Sequence, residues 1–390
     1  MTASTPSVGS PELDLEQTDG AQACQAWARE FAEEVVGPVG HVLDRMDSRV
    51  AVAPESPVFD FLAQAHREGF TRLTDPREQG GLGLSRVAEY VVLEELASAD
   101  AGLAAVLVAS PLPFRWAGST PRPDWIGCCA ADSRSGSRVR AVRDGDGWLL
   151  SGSTSPWITG AAYATHALLG CSLDDGQALA VVSLDRPGLR RGSPLDLLGL
   201  RAQGRARIVL DGVRIASGEL LPVHPGQLEG IRALAHASAA VAAVGIARAA
   251  YDGTLRLAQE DVFDGRMLVE HDDVRRRLMR MLVLLDAARS IAGSAFVETG
   301  ERVDSGETPS VQHAAAAHAF ATEATSEIVD CAMVLCGGRA DPSGGVEYLD
   351  GSRFHPQKLL RDAQSYTTDR RRPAWDSSRR PTRSPASSMR

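Results

Sequence analysis

Lysine is nearly absent from this chain: Lys358 is the only one among 41 basic residues, so arginine carries the positive charge. Set against 50 acidic residues, this gives a formal net charge of -9, which argues against a surface built to attract nucleic acid or anionic lipid. No unbroken apolar run reaches the roughly 18 to 20 residues of a spanning helix. The polar, acidic start (Met1 to Asp19) also lacks a signal-peptide core. The expectation is a soluble cytoplasmic protein with neither nucleic acid nor membrane as partner. Cysteine is sparse: Cys24, Cys128, Cys129, Cys171, Cys331 and Cys336 include no CxxC pair and no zinc-type Cys/His spacing, so buried free thiols are expected. Three catalytic or phosphate motifs are missing as well, GxSxG, GxxxxGK[ST] and HExxH, which removes the minimum chemistry of hydrolases, P-loop nucleotidases and zinc proteases. Gly80-Gly81-Leu82-Gly83 lacks the third glycine of a dinucleotide turn. His313 and His318, five apart on one helix, point to different faces and make a poor metal pair.

What is present is a chain with 44% hydrophobic residues, enough for a substantial core. Residues 1–20 read as a disordered leader. From 21 to 122 apolar residues recur at helical spacing (Trp27, Phe31, Val35; Phe59, Leu62, Ala65; Val91, Leu93, Leu96), interrupted by the turn-rich loop Asp75 to Ser85. Between 123 and 224 short alternating runs predict a small β domain. Asp144-Gly145-Asp146-Gly147 marks a hairpin, and Asp211-Gly212 reads as a turn between two strands. From 225 to 368 the helical period returns in long elements over roughly 227–259, 271–299 and 309–336. In the second of these, Val274, Leu278, Met281, Leu285 and Ala288 form one stripe. The Arg/Pro/Ser-rich stretch 369–390 reads as a disordered tail.

Several segments, in this order and spacing, resemble the acyl-CoA dehydrogenase family. They are Pro76-Arg77-Glu78-Gln79-Gly80-Gly81-Leu82-Gly83 with Leu93-Glu94-Glu95-Leu96-Ala97, then Trp157-Ile158-Thr159-Gly160, Leu198-Gly199-Leu200-Arg201-Ala202, Val244-Gly245-Ile246-Ala247, Cys336-Gly337-Gly338 and Leu360-Arg361-Asp362-Ala363. The resemblance spans about residues 22 to 368. It implies an α+β fold: an N-terminal helical domain, a middle β-barrel-like domain and a C-terminal four-helix bundle, with FAD between the last two. It places Trp157 beside the isoalloxazine and Thr159 near flavin N5. Phe263, Gly337 and Gly338 fall at further cofactor-binding positions. A flat aromatic and a small hydroxyl on one apolar strand suit a planar heterocycle.

In that family a glutamate removes the α-proton of an acyl thioester while the β-hydride passes to the flavin. The commonest position, seven residues after Ala363, is Arg370 here, and the alternative, ten before Gly245, is Ala235. An arginine cannot take up a proton at working pH. Glu229 and Asp369 are the nearest acidic residues to the two positions and are the candidate catalytic groups. The family's arginine toward the FAD diphosphate is replaced by Glu260, and its QxxGG glutamine by Val334. Its segment facing flavin and substrate is replaced around Cys128 to Ser137. The resemblance therefore implies a divergent flavin-dependent oxidoreductase acting on an acyl thioester of CoA or an acyl carrier protein, in specialised metabolism and as a homo-oligomer. Weak FAD retention and very slow oxidation of simple saturated acyl-CoAs are expected. An oxygen-activating monooxygenase of the same fold, or a member that has lost FAD and binds acyl groups or does non-redox chemistry, is the alternative.

Overall fold

The computed structural model describes residues 19–118, 122, 124–131, 138–223, 225–337 and 345–370. The leader to residue 18 and the tail from 371 lie outside the described residues. The chain starts with α1 (Asp19–Phe31), which passes through a π-helical turn, Ala32–Val36, into α2 (Gly37–Arg45). Next come α3 (Pro57–Glu68), started by Ser56 accepting from the Val58 amide, and α4 (Arg86–Ala109), started by Ser85 accepting from the Ala88 amide. The short α5 (Leu112–Trp116) follows. One feature of α4 has no trace in the hydrophobic period: Asp100 is extended (φ -155, ψ 107) inside the helix. Its Oδ1 accepts from the Leu103 amide at 2.8 Å, so it caps the second half as an N-cap would.

The middle of the chain forms β1 (Gly127–Ala130), β2 (Arg138–Asp144), β3 (Gly147–Ser153), β4 (His166–Ser172), β5 (Gln177–Ser183), β6 (Leu189–Arg191), β7 (Ile208–Ala216) and β8 (Leu220–Pro222). They join in one sheet of order β6-β7-β3-β2-β4-β5-β8, with β1 parallel to β4. Asp144 pairs with Gly147, closing the expected two-residue hairpin loop. The turn expected at Asp211-Gly212 is not there: β7 runs straight through it. Opposite Leu150 and Gly152 its partners are Val213 and Leu210, so β7 carries one extra residue, and Gly212 sits at φ 64, the left-handed conformation that a glycine bulge requires.

The last third contains α6 (Pro225–Glu260), the small hairpin β9 (Val262–Phe263) and β10 (Arg266–Met267), α7 (Asp272–Asp304) and α8 (Val311–Cys336). A second hairpin, β11 (Val346–Glu347) and β12 (Arg353–Phe354), leads to α9 (Pro356–Arg370). The predicted α7 stripe is buried along its length. Among the described residues one helix is long and apolar enough on average to cross a membrane, with an 18-residue window of mean hydropathy 1.5 in the 226–260 stretch, although charged residues interrupt its apolar run as the sequence expectation has it. Two-thirds of that window (67%) is buried inside the protein, as for a central helix of a bundle.

Several residues of the recurring motifs serve packing. From α4, Glu94 accepts both Nε (3.0 Å) and Nη2 (2.7 Å) of Arg289 on α7, and Glu95 pairs with Arg248 of α6 at 2.8 Å. The Glu95 carboxyl is 2% exposed, and its cationic neighbours hold it below the usual carboxylate range despite burial. Asp362 accepts from the Leu200 amide at 2.6 Å, where Leu200 takes the unusual φ of 54. A Cβ on Gly199 would stand 2.2 Å from the Arg361 carbonyl carbon, so only glycine lets this loop lie on α9.

Candidate active site

Between the sheet, α4 and helices α6, α7, α8 and α9 lies a mostly apolar cavity of about 840 Å³. The Trp157-Ile158-Thr159 segment, a turn just past the end of β3 and not the strand that the sequence suggested, forms part of its wall. Trp157 and Thr159 line the cavity, while Ile158, 6% exposed, joins the β core. The segment is held from behind. Ile158 bridges Ala206, the Gly160 amide donates to the Gln203 carbonyl at 2.8 Å, and the Trp157 amide donates to Ser155 Oγ at 3.2 Å.

Gln203 and Arg205 reach the same wall, and both are buried. Arg205 Nε donates to Gln203 Oε1 at 2.5 Å, and its guanidinium stands 5.7 Å from the Trp157 ring centroid, within cation–π range. Two carboxylates, Glu89 and Asp304, occupy the rim, and Arg86 holds both: Nη1 to Glu89 at 2.6 Å and Nε to Asp304 at 2.8 Å. Arg115, also on the wall, is bound to Asp75 at 2.9 Å and to Thr74 at 2.8 Å. The opposite wall is built by one face of α6 (Ile231, Ala235, His236, Ala239), with His318 of α8 and Tyr366 of α9. His236 and His318 meet there, Nδ1 to Nδ1, at 3.2 Å. The edge of the Tyr366 ring faces the His318 ring at 6.0 Å.

The sequence-predicted residues are distributed unevenly around this cavity. Trp157 and Thr159 are brought together on its wall. Ala235, the counted position of the alternative base, lines it and offers no proton acceptor. Glu229, half-buried, lies in α6 two residues before the first wall residue of that helix, Ile231, and does not line the cavity. Asp369 is in the last turn of α9 with its side chain outside the described residues. Phe263 is away from the cavity on the β9–β10 hairpin, 65% exposed. Gly337 caps α8 at φ 54, and Gly338 lies outside the described residues.

Cys129 lines the cavity half-buried. Cys128 beside it is buried, which pushes its thiol far up, and Cys171 is pushed up to about 12 for the same reason. Half of the six cysteines are buried (Cys128, Cys171, Cys336), and the others are of intermediate burial. The segment 132–137, in which the family pattern is replaced, lies outside the described residues. His313 pairs with Glu298 at 3.0 Å while His318 turns into the cavity, as their five-residue spacing predicts. Sequence reasoning missed His236, Gln203, Arg205 and Tyr366. No motif marks them, and each acquires meaning only from its neighbours across the fold.

A helical first part, an eight-stranded sheet and a long-helix bundle, with a mostly apolar cavity at their junction, define a protein able to enclose a sizeable organic ligand. The family model described as "Acyl-CoA dehydrogenase, N-terminal domain" matches residues 18–115, and "Acyl-CoA dehydrogenase, C-terminal domain" matches 231–368. The chain belongs to the acyl-CoA dehydrogenase family and is a divergent flavin-dependent oxidoreductase within it. It is 26% identical to a probable acyl-CoA dehydrogenase of Bacillus subtilis, over 90% of this chain and 94% of that one. It is 27% identical to a 3-sulfinopropanoyl-CoA desulfinase of Paraburkholderia xenovorans, over 90% and 92%. Among solved structures, butyryl-CoA dehydrogenase from Megasphaera elsdenii shares the fold with a TM-score of 0.75 at 19% identity, covering 91% of this chain and 95% of that one. A glutaryl-CoA dehydrogenase from Mycobacterium smegmatis in complex with FADH2 shares it at TM-score 0.74 and 21% identity, covering 91% and 92%. The oxygen-activating and flavin-free alternatives are not favoured by these relatives.

FAD fits the residues present at its ring end. The cavity volume falls in the range of about 300 to 1,000 Å³ that encloses a sizeable organic ligand, and the indole and hydroxyl of one wall segment offer a flat apolar contact and one polar contact.

Proposed function

We propose that this protein oxidises the acyl group of a thioester carried by CoA or an acyl carrier protein, in a branch of specialised metabolism, and that it works as a homo-oligomer. The observation that carries the reading is the placement of Trp157 and Thr159 on the wall of a cavity whose other side is α6 and α8. That leaves room for a flavin ring on the sheet side and an acyl chain on the helical side. Bound there, FAD supplies a two-electron oxidant able to accept a hydride from carbon. Trp157 then packs the ring, and Thr159 offers it a hydroxyl. The buried Arg205, positioned by Gln203 and by the Trp157 face, provides a positive charge that favours electron density arriving at that wall. The apolar faces of α4 and α6 exclude water.

Apolar surface outside the cavity supports self-association. Val262 and Phe263 on the β9–β10 hairpin are 60% and 65% exposed, and Met279 and Val283, one turn apart on α7, are 55% and 63% exposed. Light scattering of the purified protein tests this. A monomer at micromolar concentration would remove the oligomer from the proposal.

The reaction is tested by an absorption spectrum followed by anaerobic titration with a panel of straight, branched and carboxylated acyl-CoAs and acyl carrier protein thioesters. Bleaching of the flavin by at least one saturated thioester is expected. Flavin that is reduced only by an external reductase would refute the reading.

A further inference from the structure

Among the described residues, no carboxylate that lines the cavity is left without a cation. Of its described lining residues only Glu89 and Asp304 are acidic, and Arg86 holds both. Two histidines stand on the wall instead, from helices 82 residues apart in sequence, with facing Nδ1 atoms 3.2 Å apart. We infer that His236, oriented by His318, is the proton acceptor for the α-carbon of the bound acyl thioester. This inference rests on the acyl-thioester reading above.

The chemistry follows from the contact. Two facing Nδ1 atoms can share only one proton, because two N–H groups would collide and two lone pairs would repel. With that proton on His236, its Nδ1–H donates to His318 Nδ1, and Nε2 of His236 carries the lone pair. When Nε2 accepts a proton the imidazolium keeps its bond to neutral His318, which fixes the tautomer and stabilises the charge, as a third group does for a histidine base elsewhere. In the full step the Cα–H bond breaks and its proton goes to His236 Nε2. Its electron pair becomes the α,β double bond as the β-hydrogen leaves with its own pair, which FAD, held against Trp157 and Thr159, would accept as a hydride. Atoms and electrons balance without any group beyond those of the proposed reaction.

From α6, Arg232 lines the cavity one turn before His236; from α9 comes Tyr366, and from the sheet side Arg205. Arg232 and Arg205 are cations and the phenol is neutral, so these groups bring no negative charge to the wall. The acidic groups of the wall, Glu89 and Asp304, are bound to Arg86, and Arg115 is bound to Asp75. His236 directly follows Ala235, so the helix that bears one of the family's base positions still presents a proton acceptor one residue on.

The test separates proton transfer from oxidation. In 3-thiahexanoyl-CoA and 3-thiaoctanoyl-CoA sulfur replaces the β-carbon, so the α-hydrogens can exchange and no β-hydride can leave. Deuterium uptake at the α-carbon in D2O, followed by mass spectrometry on the FAD-supplied protein, is expected to rise through a single ionisation in the imidazole range, roughly pH 6 to 7. His236→Gln should slow it about 100-fold or more, the scale of a lost general base. His318→Gln should retain at least a tenth of the rate and move the pH midpoint. An unchanged rate in His236→Gln, or a wild-type midpoint below about pH 5 as for an ordinary carboxylate, overturns the inference. The wild-type profile decides even if the variants do not fold. Flavin bleached equally well by acyl-CoA in wild type and His236→Gln leaves the proposed reaction standing and removes His236. Absence of both exchange and bleaching in the wild type removes the two together.

Discussion

The Glu260 carboxylate accepts a hydrogen bond from the Leu349 amide at 2.8 Å and another from Arg256 Nε at 2.8 Å. These bonds lower its pKa, the amide contributing most, so it is an anion at neutral pH with its cation one helical turn away. At the position where the family has an arginine toward the FAD diphosphate, this chain presents an ion pair. A carboxylate there repels a diphosphate, and its pairing with Arg256 moderates that repulsion without restoring an attraction. FAD is expected to leave during gel filtration at submicromolar protein, and Glu260→Arg should tighten binding about tenfold, read from the 450 nm absorbance that elutes with the protein. Stoichiometric FAD that survives extended dialysis would count against this.

Trp157→Ala should weaken FAD by roughly tenfold, about 1.4 kcal/mol, through lost ring contact. Thr159→Val, which keeps the shape and removes the hydroxyl, should shift the flavin absorption maxima with a smaller loss of affinity. Titration calorimetry and difference spectra check both. Unaltered affinity and spectrum in both variants would detach the segment from the flavin.

Glu229→Gln and Asp369→Asn should leave acyl-CoA oxidation within about twofold of wild type. Glu229 stands outside the described cavity wall, the Asp369 side chain lies outside the described residues, and the proposed base is His236. Loss of turnover in either variant, with the fold intact by circular dichroism, would return the base to a carboxylate.

Lys358 Nζ lies 2.9 Å from Asp100 Oδ2 and 2.6 Å from Asp362 Oδ2, and the two aspartates are 2% and 1% exposed. Lys358→Met would strand two buried carboxylates and should cost about 3 to 5 kcal/mol in urea unfolding. Adding Asp100→Asn and Asp362→Asn should recover part of that loss. A destabilisation under about 1 kcal/mol for the single change would show that the triad contributes little.

His355 is half-buried, its ring 4.5 Å from that of His41, and burial followed by the charge of His41 and nearby cations lowers its pKa to about 4. Unfolding restores a value near 6.5, so between about pH 6.5 and 4 the unfolded chain binds the extra proton. This part of the stability is complete above pH 6.5 and falls as the pH drops toward 4. With solvent screening it amounts to roughly 1 to 2 kcal/mol. Denaturation midpoints at pH 7.5 and 5 should differ less in His355→Gln than in wild type, and an equal difference would exclude this contribution.

The helices and the hairpin at Asp144-Gly145-Asp146-Gly147 were legible in the sequence because each depends on neighbours a few residues away. The turn expected at Gly212 was not there, since a glycine bulge within a strand and a glycine turn between strands look alike until the partner strand is known. The break at Asp100 was hidden for a related reason: an aspartate inside an apolar stretch becomes a cap only when Lys358, far along the chain, fixes its other oxygen. His236 and His318 carried no signal at all, because their pairing is set by how α6 packs on α8. The glutamate motif before Leu96 was visible but read as family identity. Its physical task is to tie α4 to Arg248 and Arg289.

The enclosure of Lys358 between two carboxylates, which raises its pKa, also determines how the protein meets amine-directed reagents. Acylation needs an uncharged, accessible nitrogen, and this side chain, the only lysine in the sequence, offers neither while the fold persists. In the native state an activated ester should therefore mark the chain's α-amino group alone, giving one dye per polypeptide, and a second label should register unfolding.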